Sequence, residues 1–131
     1  MGAAQSTGTV RIIMTDPIVR FDRKFQLWLY SVSHGQLLLR STKNQNYQTQ
    51  VDVLFKNVAI IQLPVVFAGL AISEISQQEF RLFELSACLL DVHERRCFKL
   101  EGENWDGFIV AGHVSWLEND SEHSAESELL S

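Results

Sequence analysis

The chain has 131 residues, the length of one ordinary domain and enough to bury a core without a metal or disulfide. Apolar residues make up 46% and charged residues 21%, which excludes wholesale disorder. The net charge of −5 is localised: five acids and no base follow Leu117, leaving 11 acids against 11 bases in residues 1–117. The body therefore lacks the basic excess with which proteins grip a nucleic-acid backbone, and no nucleic-acid partner is expected.

The neutral body is nonetheless uneven. Seven bases and three acids lie between Arg11 and Lys56, and eight acids with no base lie from Glu101 onward. No apolar run reaches the ~18 residues of a membrane span, and the N-terminus lacks the basic and apolar regions of a signal peptide. The expected compartment is the cytoplasm, with no membrane partner. Met1-Gly2-Ala3-Ala4-Gln5-Ser6 fits the short myristoylation pattern, but no polybasic second anchor follows it. Cys88 and Cys97 read as reduced thiols.

In chain order, residues 1–8 are small and polar and read as a flexible N-terminus, and residues 10–14 as a short first strand ended by Asp16-Pro17. Residues 25–42 predict a hairpin with its turn at His34-Gly35, which puts Trp28, Tyr30, Val32, Leu37 and Leu39 on one core-facing side. Residues 41–50, rich in Asn and Gln around Tyr47, read as a mobile loop. Residues 51–63 predict a second hairpin turning at Lys56-Asn57 and stopped by Leu63-Pro64. Residues 65–72 read as a buried, irregular link around Gly69. Residues 73–92 are ambiguous, with a short helix near 74–79 followed by strand. Residues 97–117 predict a third hairpin, with Phe108, Val110, Val114 and Trp116 on one face and Gly112 at a bulge or close approach. From Glu118 on, the chain has no apolar face and reads as a disordered acidic tail.

Turn signals every 8–12 residues and no alternation of strand and helix give an all-β, mainly antiparallel domain over residues 9–117. The expected architecture is a sandwich or partly open barrel of about seven to eight short strands. The expected core is Trp28, Tyr30, Val32, Leu37, Leu39, Val53, Phe55, Ile60, Phe98, Phe108, Val110 and Val114.

Few residues nominate chemistry. There is no G-x-S-x-G, G-x-G-x-x-G, P-loop or H-E-x-x-H motif. Ser33-His34 reads as a turn rather than a nucleophile and its base, because neighbours on a strand point to opposite faces. His93, Cys97 and His113 lack zinc-ligand spacing, and the polar run 91–97 reads as a charged hairpin tip. A turn at Val92-His93 would set Cys88 opposite Cys97, close enough to cross-link under oxidation. Glu84, Asp91, Glu101 and Asp106 show no partner carboxylate. The sequence therefore predicts no catalytic residue, metal ligand or cofactor. Loop aromatics offer large, rigid contact area, which makes Tyr47, Trp105 and Asp106 the candidate interaction surface. The competing reading has Trp105 folded back over the sheet edge.

The run Trp28-Leu29-Tyr30-Ser31-Val32-Ser33-His34-Gly35-Gln36-Leu37-Leu38-Leu39-Arg40-Ser41, then Asp52-Val53-Leu54-Phe55-Lys56-Asn57-Val58 and Leu63-Pro64, resembles uncharacterised bacterial β-rich domains. Some of these are similar to immunity proteins of toxin competition systems. The likeness covers the middle third of the chain and carries over no functional residue. It implies a non-enzymatic protein-interaction module, an inhibitor of a toxin among the options, with another protein as partner. A small-molecule-binding barrel or minor enzyme is the alternative.

Overall fold

The computed structural model describes residues 17–75, 95–120, 127 and 129–130. Within them the chain is all β, and no helix is long and apolar enough to cross a membrane. Eight strands form one antiparallel sheet: β1 (Val19–Ser31), β2 (Gln36–Ser41), β3 (Gln50–Lys56), β4 (Ile60–Gln62), β5 (Val66–Ile75), β6 (Arg96–Gly102), β7 (Trp105–Ala111) and β8 (His113–Asn119). The order is β4-β7-β6-β5-β1-β2-β3-β8.

The two ends of this order are joined by the chain itself. β3 pairs with β8, and β4, three residues on, pairs with β7. The two segments bend together: Gly112 N donates to Lys56 O at 2.9 Å and Ala59 N to Val110 O at 2.8 Å. Asn57 takes a left-handed conformation at the bend, with φ 57°, which asparagine tolerates better than most residues. The sheet thus curls around one core as a partly open barrel. The Phe55 and Phe98 rings meet edge to face with centroids 5.7 Å apart, although β3 and β6 are not neighbours in the sheet.

Inward side chains fill the barrel. Phe25, Leu37, Leu39, Val53, Phe55, Phe67, Leu70, Ile72, Phe98, Leu100, Ile109 and Val114 belong to one buried cluster. The outer side of β2 and β3 is covered as well, since Leu38, Arg40, Asp52 and Leu54 are all buried. Burial on both faces explains the continuous apolar run at 37–39, where strict alternation would otherwise be expected.

The first hairpin forms, but not with the expected turn. The loop is Val32-Ser33-His34-Gly35, and the pairs are Ser31↔Gln36, Tyr30↔Leu37 and Leu27↔Leu39. The register shifts between Leu27 and Leu29, so Trp28 sits in a bulge and the face parity flips there. Leu37 and Leu39 are in the core as expected, whereas Val32 is 79% and Tyr30 41% exposed. Trp28 lies on the outer side, with the Arg40 guanidinium 4.8 Å from its ring centroid.

Residues 51–63 are not a hairpin: β3 and β4 pair with β8 and β7 rather than with each other. Lys56-Asn57 bends the strand without reversing it. Residues 66–75 are not an irregular link but β5, paired with both β1 and β6. Glu74 and Ile75 end that strand rather than start a helix; residues 76–79, the strand expected after them, and residues 10–14 lie outside the described residues. The third hairpin is present, turning at Glu103-Asn104 with Asp106 and Gly107 already in β7. Its faces are reassigned by the bend at Gly112. Ile109 and Ala111 join Val114 in the main core, while Phe108 and Val110 pack with Ile75 and Cys97 in a separate cluster that Ile60 flanks. Trp116 is 39% exposed.

Gly107 is buried in β7, and a Cβ there would collide with the carbonyl oxygen of Gln62 in the adjacent edge strand. Backbone cannot yield as a flexible side chain can, so Gly107→Ala should cost about 1–3 kcal/mol. A shift of the urea midpoint with an unchanged slope would confirm it.

Candidate functional site

An open groove of about 530 Å³ lies where β1, β5 and β6 come together, lined by Arg20, Phe21, Asp22, Gly69, Leu70, Ala71, Glu101, Gly102 and Glu103. A bulge in β1 between Phe21 and Lys24 and the left-handed Gly69 (φ 79°) shape it. Gly102 is required: a Cβ there would strike the Trp105 indole nitrogen and the carbonyls of Ala68 and Gly69.

The side chains in the groove follow from strand parity. Val19 and Phe21 pack against the core, which turns Arg20 and Asp22 outward. Across the sheet, Arg20 pairs with Ala71, Ala71 with Glu101 and Glu101 with Asp106. Three carboxylates, from Asp22, Glu101 and Glu103, therefore face one cation, Arg20, among the described lining residues. Lys99 lies 3.5 Å from Glu101 at the surface, an exposed pair that salt screens.

The three candidate residues border this groove in different ways. The Tyr47 hydroxyl donates to the Asp22 carbonyl at 2.7 Å, and its ring lies 4.3 Å from the Arg23 guanidinium. The Trp105 Nε1 donates to the Ala68 carbonyl at 3.0 Å and its ring packs 4.5 Å from Phe67. Trp105 is thus folded back across β6 onto β5, inside the sheet rather than over its edge. Asp106 is exposed beside Glu101. Trp105 packs toward the core while Asp106, its neighbour on β7, is exposed on the other face, and Tyr47 is tied to the far wall through Asp22; neither aromatic is held out toward solvent. Arg20, Asp22 and Glu103 were not singled out from sequence. The only signals for them were the acid excess after residue 100 and the glycines at 69 and 102.

The loop at 42–49 is anchored. Asn44 Oδ1 accepts from the Asn46 and Tyr47 amides at 2.7 and 3.0 Å. Beneath it the buried Arg23 donates to Ser41 Oγ at 2.7 Å and to the Thr49 carbonyl at 2.6 Å, with Glu118 3.8 Å away. Burial lowers the Arg23 pKa from its ordinary value, and Glu118 and Tyr47 oppose that shift. Glu118 belongs to β8, so the last strand extends into the acidic segment as far as Asn119.

The remaining polar groups assemble no reaction centre among the described residues. Ser33 Oγ does reach His34 Nδ1, at 3.1 Å, and Ser31 Oγ reaches the same nitrogen at 3.0 Å. The expected separation fails because both neighbours sit in a turn, where strand alternation does not apply. The third group on this exposed imidazole is the Ser31 hydroxyl, and among the described residues no carboxylate orients the ring as a base would require. Arg95 and Arg96 are committed to Asn57 and Glu74. No group of three metal-ligating side chains occurs among the described residues; His93, Glu84 and Asp91 lie outside them.

Cys97 is buried in β6, with Ile75 on one side and Val110 on the other. Both edges of its ladder are taken, by β5 and by β7; Cys88, and with it the expected pairing to Cys97, lies outside the described residues. Burial pushes the Cys97 thiol up to about 12. It stays protonated in the folded state while an unfolded thiol ionises near its ordinary value, so its contribution to stability is complete below that value and fades as pH rises from there toward 12. Mass mapping after brief iodoacetamide treatment at pH 8 should show Cys97 unmodified in native protein and labelled in urea.

No protein-family model, curated protein or solved structure matches this chain.

Proposed function

We propose that the chain is a non-enzymatic binding module that holds a basic segment of a partner protein in the groove between β1, β5 and β6. The observation carrying this reading is the pairing of a filled interior with an open exterior site. Core side chains occupy the barrel, so a ligand would bind outside it, and the described residues lining the site there include three carboxylates and one cation, with Lys99 beside Glu101 at the surface. Such a field steers a positively charged partner, and its effect on association falls as salt rises. A toxin with a basic surface is one such partner, the class to which the resemblance of residues 28–41, 52–58 and 63–64 leads.

An arginine-rich decapeptide and a glutamate-rich one of equal length test the proposal. The basic peptide should bind, more weakly in 300 mM salt, and the double change Glu101→Gln and Glu103→Gln should reduce its affinity by about tenfold. Equal binding of both peptides, or no effect of the double change, would refute it. The paired substitutions lie at exposed positions and should leave the fold intact.

A further inference from the structure

Farther along the outer face of β1 lies a second, smaller cavity of about 180 Å³, lined by Lys24, Phe25, Gln26, Arg40, Thr42, Asn44 and Val66. Its chemistry is opposite to that of the groove. Among the described residues no carboxylate lines it, and two of its lining residues, Lys24 and Arg40, are cationic. Gln26 pairs in register with both Val66 and Arg40, which brings three strands to one spot. Arg40 is buried against Asp52, with Nε–Oδ1 2.7 Å and Nη2–Oδ2 3.1 Å. Asp52 thus balances the Arg40 charge, while Lys24 adds a cation with no ion pair among the described residues. Asn44 has committed its Oδ1 to two backbone amides, leaving Nδ2 as the group with which it can bond a ligand. Below the same loop, Arg23 donates to the Thr42 carbonyl, placing a further positive charge nearby.

We propose that this cavity binds a small oxyanion, a phosphate group carried by a compact ligand. Lys24 supplies the charge, Asn44, Gln26 and Thr42 supply directional donors, and the Arg40–Asp52 pair fixes the wall. Of the bases between residues 11 and 56, Lys24 and Arg40 line this cavity and Arg23 lies close by.

The test uses inorganic phosphate on the full-length protein, followed by amide NMR at constant ionic strength with chloride as control. Phosphate should shift the amides of Lys24, Gln26, Thr42 and Asn44 saturably, and chloride should not. Lys24→Gln and Asn44→Asp should each weaken binding by about tenfold or more. The second keeps the oxygen that caps the loop, so loss of binding there cannot be put down to unfolding. Vesicles of phosphatidylcholine with and without phosphatidic acid separate two sources of the same chemistry. Capture by the acidic vesicles, reversed by phosphate, identifies a headgroup; phosphate binding without capture identifies a soluble phosphate compound. No saturable shift with phosphate, or equal shifts in wild type and both variants, would overturn the proposal.

Discussion

Replacing Asp52 with alanine should lower the unfolding free energy by about 3–5 kcal/mol, because it strands the Arg40 guanidinium in a site where removing one partner of an ion pair is costly. Both side chains are almost wholly inaccessible, at 0% and 3% exposure, and the pair is bidentate. Bidentate geometry maximises what each charge gains from the other. The double replacement Arg40→Met with Asp52→Leu removes both charges and should recover much of that loss, since apolar residues of similar volume often substitute well for a buried pair. Urea unfolding of the two single variants and the double variant provides the cycle. Additive losses would show that the two charges do not depend on each other.

Phe55→Ala should cost about 3–5 kcal/mol. Phe55 is fully buried, its ring meets Phe98 across the barrel, and its strand is held on one side by β2 and on the other by β8. Neighbours fixed by two ladders cannot close on the empty volume, which puts this site toward the upper end of the range. Val32→Ala is the contrasting case. That side chain is 79% exposed, and its removal should stay within about 0.5 kcal/mol. A loss below about 1 kcal/mol for Phe55→Ala in denaturant melts would show that β3 faces the other way.

The sequence conveyed the class of fold and two of its hairpins, because strand period and glycine or asparagine at turns are local properties. It misled wherever one residue changed the parity. The bulge at Trp28 turned Trp28 outward, and Tyr30 and Val32 at the end of the hairpin are exposed. Unbroken alternation had placed all three in the core. At Asn57 and Gly112 two strands bend jointly, and that pairing joins residues about fifty positions apart; nothing local distinguishes such a bend from a hairpin turn. β5 was missed because Gly69 interrupts its pattern, although a glycine in a strand also marks close backbone approach. For the site, the sequence held the acid excess; Tyr47, Trp105 and Asp106, the residues it nominated, are not among those that line the groove. The groove itself needs Arg20 and Asp22 from β1 beside Glu101 and Glu103, a meeting that only the sheet order produces.

Residue-resolved amide NMR during titration with the arginine-rich decapeptide tests directly whether the groove between β1, β5 and β6 holds a basic segment. Saturable shifts are expected at Asp22, Gly69, Ala71, Glu101 and Glu103, diminishing as salt rises, while the amides of Leu37, Phe55, Leu100 and Ile109 in the barrel core stay in place. Shifts concentrated at those core positions, or an undisturbed groove under saturating peptide, would contradict it.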